Sequence, residues 1–260
     1  MMNPHSPRLG FLGVGNIAGA MVEGFSTCAD PCPIVLSPRN PVRSASLAGQ
    51  WSNVRRAGSN QEVLDDSELV FVALRPPVVP EVLPGLRFRP DHTVVTLFPF
   101  IHLAQVLALV RPVTRVFKAL PLPGVARHLG QVPYFPDDGP VAAVLASLGE
   151  PVPMRSEAEL YRLWAITGLI STFYSMMQTL QTWCVEGGAQ PRIARSYTAA
   201  MMASVVRMAD GEVPFEDLAR EAATPGGLNE MALRMLQGGA AFTDLEAALD
   251  AILARLEPAL

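Results

Sequence analysis

The chain has 260 residues and only one lysine, Lys118, among 20 cationic residues. The rest are scattered arginines, and the formal net charge is -4. With no basic cluster there is no footprint for a polyanion, so nucleic acid is not an expected partner. Cysteine is also scarce: Cys28, Cys32 and Cys184 form an odd set without C-x-x-C spacing, which excludes a disulfide framework and fits reduced structural thiols. The histidines His5, His92, His102 and His128 are dispersed without ligand spacing, so no metal is expected. No apolar run approaches the roughly 18 residues needed to span a bilayer, so no membrane partner is expected. Arg8, an apolar stretch and Ala18-Gly-Ala20 superficially look like a secretion signal. Glycines and Asn16 interrupt that stretch and an amphipathic pattern continues past it, so the expected location is cytoplasmic.

Apolar residues, in contrast, make up 50% of the chain, ample for a folded core. Short β-rich runs at Leu9 to Leu12, Ile34 to Leu36, Leu69 to Leu74, Thr93 to Phe98 and Thr114 to Ala119 are apolar at consecutive positions, as strands covered on both faces must be. Helical patterns lie between them at Ile17 to Phe25, Arg43 to Gln50, Asn60 to Asp66, Val78 to Leu83 and Leu103 to Val110. Such βαβ alternation predicts an α/β domain with a Rossmann-type parallel sheet over residues 1–153. After Pro153 the β-rich runs stop. Ser156-Glu-Ala-Glu159 has capping-box character and opens a helix expected to run into the 170s. Further helices are expected at Pro191 to Met208, Phe215 to Glu221, Leu228 to Leu236 and Leu245 to Leu256, making 154–260 an all-helical domain. The expected binding site is a cleft between the two.

The segment Leu9-Gly-Phe-Leu-Gly-Val-Gly-Asn-Ile-Ala-Gly-Ala-Met21 carries the clearest chemistry. Within it, Gly13-Val-Gly-Asn-Ile-Ala18 fits G-x-G-x-x-G/A between a strand and a helix. Gly13 permits the tight turn, Gly15 lets backbone approach a pyrophosphate, and Ala18 lets helix and strand pack closely. The competing role for these glycines is close packing alone. At the end of the second strand, Ile34-Val-Leu-Ser-Pro-Arg-Asn40 lacks the acid that holds an NAD ribose. Ser37, Arg39 and Asn40 suit a 2'-phosphate instead, so NADP(H) is expected in preference to NAD(H), with a solvated loop arginine as the plainer reading of Arg39. Arg75, in Val70-Phe-Val-Ala-Leu-Arg-Pro-Pro77, either approaches the cofactor or an anionic substrate, or caps a neighbouring helix. In the helical half, Ala223-Thr-Pro-Gly-Gly-Leu-Asn-Glu-Met231 opens a helix with a second glycine turn. The N–H groups of Gly227, Leu228 and Asn229 suit a carboxylate; the alternative is a plain helix start.

Taken in order, "LGFLGVGNIAGAMVEGF", "SPRNPVRSASLA", "LVFVALRPPVVPEVL", "RVFKALP" and "ATPGGLNEMALRMLQ" resemble the pyrroline-5-carboxylate reductase family over essentially the full length. The resemblance implies a dinucleotide site at Gly13, Gly15, Asn16, Ile17, Ala18, Ser37, Arg39 and Asn40, with Ala73, Leu74, Arg75 and Pro76 nearer the nicotinamide. It also implies a substrate site at Thr224, Gly226, Gly227, Leu228 and Asn229, a small-molecule substrate with a carboxylate, hydride transfer to a cyclic imine, and a homodimer or higher homo-oligomer. Three segments depart from the family pattern. Leu120-Pro-Leu-Pro-Gly124 replaces M-P-N-T-P, Thr167-Gly-Leu-Ile-Ser-Thr-Phe173 replaces S-G-S-G-P-A-Y, and Thr224-Pro-Gly-Gly-Leu-Asn229 replaces S-P-G-G-T-T. Asn229 thus stands where a threonine meets the imine nitrogen, making it the candidate catalytic residue. Leu120, Leu122, Leu169, Ile170 and Leu228 give a more apolar pocket, unless they are simply core. A non-catalytic or regulatory NADP-binding protein with a decayed substrate site is the alternative. The β-hydroxyacid dehydrogenases start with a similar turn, but they need a lysine on the long interdomain helix, and Lys118 precedes it.

Overall fold

The computed structural model describes residues 6–209 and 211–256, so His5 lies outside the described residues. By packing, the described residues form two compact units, one comprising residues up to Trp164 and from Arg255 onward, the other Ala165–Ala254.

The first unit alternates strands and helices: β1 (Leu9–Leu12), α1 (Asn16–Thr27), β2 (Ile34–Leu36), α2 (Pro41–Gln50), β3 (Val54–Arg56), α3 (Asn60–Asp65), β4 (Leu69–Val72), α4 (Val79–Val82), β5 (Thr93–Thr96), α5 (Leu103–Leu109), β6 (Arg115–Ala119), β7 (Gln131–Phe135), α6 (Gly139–Leu145) and β8 (Glu150–Pro153). They build one sheet in the order β3-β2-β1-β4-β5-β6-β7-β8. The order reverses beside β1, the arrangement that opens a crevice at the strand carboxyl ends. Every pairing is parallel except β6 with β7. Three strands were not expected from sequence, and each has a local reason. β3 is a short edge strand whose Arg55 and Arg56 are exposed. Both β7 and β8 carry prolines, Pro133 in one and Pro151 and Pro153 in the other, and β8 lies at the far edge, where a missing N–H costs least.

The sheet is covered on both faces, so consecutive residues of its central strands point into different cores. Phe11 and Phe71 stack on one face with ring centroids 4.9 Å apart, and Phe25 of α1 closes on Phe71 at 5.7 Å. On the other, Leu12, Val70, Val72 and Val94 pack with Leu64, Leu83 and Val106.

Lys118 lies inside this unit, fully buried. Its Nζ donates to Ile101 O at 2.8 Å and to Tyr161 Oη at 2.7 Å, and pairs with Glu157 Oε1 at 2.8 Å. Glu157 opens α7 (Glu157–Thr167) and also accepts from Tyr161 Oη at 2.9 Å and Leu103 N at 3.0 Å. The first turn of α7 is therefore pinned to β6 and to the start of α5. This anchoring carries the first unit on to Trp164, past the end of β8 at Pro153 where the change of composition was read.

The second unit is helical: α8 (Ile170–Glu186), α9 (Pro191–Met208), α10 (Phe215–Ala222), α11 (Leu228–Gly238) and nearly all of α12 (Ala241–Leu256). The helix expected to run unbroken from Ser156 is instead interrupted at Gly168–Leu169, where 3-10 type bonds run from Gly168 N to Ala165 O at 3.0 Å and from Leu169 N to Ile166 O at 3.1 Å. Among the described residues, α8, α10 and α11 have no buried side chain, while Phe173, Trp183, Tyr197, Val206 and Met235 are exposed.

Burial pushes the Lys118 ammonium down in pKa, opposed by Glu157. Burial alone would raise Glu157, but Lys118, the Tyr161 hydroxyl and the Leu103 N–H together hold its carboxyl below the usual value. A carboxylate depressed in the folded state contributes stability that is full above its unfolded pKa and lost as pH falls through the folded one. Lys118→Met removes the cation from a partly buried carboxylate that keeps Tyr161 and Leu103 as donors, and is expected to cost about 3 kcal/mol. In urea melts, the variant should also lose less stability than wild type below about pH 4.3, the unfolded glutamate value. A change under about 1 kcal/mol at neutral pH would remove the pair from any structural role.

Candidate functional site

The turn between β1 and α1 is held from three sides. Gly13 has φ +94, a conformation costly for any residue with a side chain, and a Cβ there would lie 2.6 Å from Ala73 O. Its N–H donates to the buried hydroxyl of Ser37 at 2.9 Å, and Ser37 N donates to Phe11 O at 3.0 Å. Ala73 N in turn donates to Leu12 O at 2.8 Å. The carboxyl ends of β1, β2 and β4 thus meet at one point. Gly15 precedes α1 as its cap residue, and a Cβ added there would meet nothing within 4 Å. The first turn of α1 carries no acid, so its N–H groups and positive dipole end face this open space. Ala18 is buried against the sheet, whereas Asn16 is exposed. Open space beside Gly15 and an uncapped helix start fit a pyrophosphate.

The loop after β2 sits beside this turn. Asn40 caps α2 by accepting from Arg43 N at 3.2 Å, and its Nδ2 donates to Val14 O at 3.2 Å. Arg39 is exposed, and among the described residues its side chain has no hydrogen bond or ion pair. The sequence reading passed over Arg43, whose Nη1 donates to Asn16 Oδ1 at 2.7 Å and whose guanidinium lies against Gly19. The signal for it was the spacing, since three residues beyond a helix cap a side chain returns to the cap's side. Arg56 was missed as well; it reaches Pro38 O at 3.3 Å. Ser37, Arg39, Asn40, Arg43 and Arg56 therefore gather at the β2 edge of the turn.

After β4, Leu74 is buried and Pro76 starts a 3-10 turn, Pro76–Val78. Arg75 caps that turn through its own backbone, with Val78 N donating to Arg75 O at 2.9 Å, while its exposed side chain makes no capping bond. Leu120 is buried, with its N–H donating to Pro133 O at 2.8 Å, whereas Leu122 is partly exposed. Lys118 is sealed in the network described above.

In the helical unit, the second glycine turn is arranged differently from its sequence expectation. Gly226 has φ +70, and Gly227 caps α11. The N–H of Gly227 is spent inside the turn, donating to Thr224 O at 2.8 Å, so it is not offered to an anion. Leu228 N and Asn229 N remain as the groups a helix start leaves unbonded. The Asn229 Nδ2 donates to Ala222 O at 3.1 Å, bracing the turn against the end of α10. Glu230 reaches back to accept from Gly226 N at 2.7 Å. That glutamate was also missed; an acid in the first turn after a glycine pair was the available signal. Leu169 is buried, whereas Ile170 and Leu228 are exposed.

Two family models match the chain. "NADP oxidoreductase coenzyme F420-dependent" covers residues 8–98, and "Pyrroline-5-carboxylate reductase dimerisation" covers residues 157–258. The pyrroline-5-carboxylate reductase of Pseudomonas aeruginosa is 23% identical over 258 residues, covering 95% of this chain and 94% of that protein. Among solved structures, the Streptococcus pyogenes 1-pyrroline-5-carboxylate reductase superposes with TM-score 0.84 at 19% identity, covering 96% of this chain and 98% of its own. The Plasmodium falciparum pyrroline carboxylate reductase, solved with NADP bound, gives TM-score 0.82 at 16% identity, with 98% of both chains covered. A dinucleotide-type sheet with an intact glycine turn, followed by this helical unit, defines an NAD(P)-dependent oxidoreductase. Within that class the chain is similar to the pyrroline-5-carboxylate reductases over nearly its whole length, and its helical part matches their dimerisation family. Among the described residues no helix is long and apolar enough to cross a membrane, and no His, Cys, Asp and Glu cluster suits a metal ion.

Gly13→Ala combines left-handed strain with a backbone clash and should cost at least about 2 kcal/mol. Ser37→Ala leaves the Gly13 N–H without its acceptor and should cost about 1–3 kcal/mol. Both losses are read by thermal melting. Wild-type stability in Ser37→Ala would show that the hydroxyl does not hold the turn.

Proposed function

We propose that the protein is an NADP(H)-dependent reductase that transfers hydride to the C=N bond of a cyclic imine. The observation that carries this reading is the open Gly15 approach beside an acid-free β2 edge bearing Arg39. In this reading the α1 N–H groups of Asn16, Ile17 and Ala18 hold the pyrophosphate. Arg39 and Arg43 bind the ribose 2'-phosphate, with the Ser37 hydroxyl and Asn40 amide shaping the loop around it. Ala73, Leu74, Arg75 and Pro76 border the nicotinamide end. Bound NADPH supplies the hydride that the imine carbon accepts. A C=N carbon is already electron-poor, so the chain's task is orientation and exclusion of water more than acid catalysis. Thr224, Gly226, Gly227, Leu228 and Asn229 form the wall for the ring. Asn229 acts there through the N–H it leaves unbonded and by bracing the turn, since its side-chain amide is engaged with Ala222 O.

The exposed apolar faces of α8, α9 and α11 support a homodimer through the helical unit, as does the match to the dimerisation family. Light scattering should therefore give twice the 27.9 kDa chain mass or a multiple of it; a monomer at micromolar concentration would reject the assembly. Proline formation is one of the reactions to assay.

The decisive measurement follows NADPH and NADH absorbance with pyrroline-5-carboxylate and a panel of cyclic imines. Turnover on a cyclic imine is expected, with NADPH preferred. Arg39→Ala should weaken NADPH at least about tenfold and leave NADH nearly unchanged. Equal affinity for the two cofactors, unchanged in the variant, would end the phosphate-reading role. NADPH binding with no turnover on any imine would favour a regulatory protein.

A further inference from the structure

We infer that Gly19 is a positioning residue for cofactor choice: its missing side chain leaves a seat on α1 in which Arg43 is held ready for the ribose 2'-phosphate. The inference rests on the proposed NADP(H) reading and adds to it the residue that sets Arg43 in place. Arg43 lies in the first turn of α2 and crosses to the neighbouring helix α1, where its Nη1 donates to Asn16 Oδ1 at 2.7 Å. A Cβ built on Gly19 would lie 2.6 Å from Arg43 Nη2, 2.8 Å from Nε and 3.1 Å from Cζ. Outside α1 these are the atoms nearest that point, so even an alanine methyl collides with the guanidinium first. Gly19 follows the Gly15 cap by one helical turn and shares a helix side with Asn16. The seat is therefore within one turn of the N–H groups proposed to hold the pyrophosphate.

Two observations distinguish this contact from ordinary helix packing. A glycine inside a helix weakens it relative to alanine, so position 19 is unfavourable for α1 alone, and what the fold gains there is room for Arg43. The guanidinium so seated is half-buried, yet among the described residues no carboxylate pairs with it. Neither α1 nor α2 has an acid in its first turn, and α2 has none at all. A half-buried cation held without an anion, at the acid-free edge of an open helix start, is a charge kept for an anionic ligand. Arg39 beside it is exposed and, among the described residues, unbonded, so a ligand has to order it. Arg43 is ordered beforehand, and a preset group binds at a lower entropic cost.

The test measures NADPH and NADH binding by calorimetry, with no imine present, in wild type, Gly19→Ala, Arg43→Ala and the double variant. Wild type should bind NADPH the more tightly. Arg43→Ala should lower the NADPH-over-NADH affinity ratio about tenfold. Gly19→Ala, which leaves every charge in place, should lower it at least about fivefold by unseating Arg43. In the Arg43→Ala background the same Gly19→Ala change should move the ratio by less than about twofold, because the side chain it displaces is gone. Thermal melting of Gly19→Ala should match or exceed wild type, since alanine favours the helix, and this separates a displaced arginine from a damaged fold. Equal weakening of both cofactors in Gly19→Ala, or a ratio unmoved by either single variant, overturns this inference alone. If Gly19→Ala fails to fold, the double variant decides: it folds if Arg43 is the obstacle, and its failure to fold overturns the inference. A wild type that does not prefer NADPH overturns the NADP(H) reading and this inference with it.

Discussion

The hydrogen bond from Gly13 N to Ser37 Oγ, 2.9 Å long, joins the ends of two strands at the one place where the backbone takes φ +94. A turn of that shape has few ways to satisfy its N–H, because the chain reverses before a helical acceptor is available. Ser37 supplies the acceptor only because β2 lies beside β1 in register, Phe11 opposite Leu36. The direction of α1 and the open space at Gly15 follow from this bond. So does the placement of Arg39, Asn40 and Arg43, since the loop that carries them leaves directly from Ser37. Cofactor recognition thus depends on sheet register more than on the exposed side chains that would touch the ligand.

Lys118 illustrates how chemistry read from residue type is redirected by burial. A lone lysine at the end of a strand, near the crevice side of a sheet, invites a catalytic reading. Here its Nζ is enclosed by Ile101 O, Tyr161 Oη and Glu157, with the Tyr161 ring centroid 4.7 Å away. Every partner lies on a segment that must be held against β6. A buried pair adds little net stability relative to an apolar one, but it penalises any packing that separates its members. Its effect is to fix where α7 begins.

Much of the first unit is legible in sequence because its signals are local. β1 and β2 are uninterrupted apolar runs with strand boundaries as read, and the glycine turn is contiguous. β3, β7 and β8 are not legible, since Arg55, Arg56, Pro133, Pro151 and Pro153 contradict strand patterning, and those of β3 and β8 are tolerated at the two sheet edges. Ser37, Arg39 and Asn40 are contiguous and legible as one loop, but the place of Arg43 beside the turn is not, because it depends on Asn16 in another helix. At the second glycine turn the residue types suggested free donors. Who uses those donors is decided by Thr224 O, Ala222 O and Glu230, which only the folded turn brings into range.

The two glycine turns carry the same physical device with opposite electrostatic settings. Each opens a helix with a glycine cap and no side-chain cap. The first has no acid in its opening turn and leaves its N–H groups facing open space. The second places Glu230 in that turn and binds it to its own backbone. Since a helix start attracts whichever anion is held nearest, an internal carboxylate removes the attraction for an external one. One turn thus leaves its helix start open, and the other engages its own with a side-chain carboxylate. The difference arises from a single residue type in the first helical turn, on an otherwise shared backbone plan.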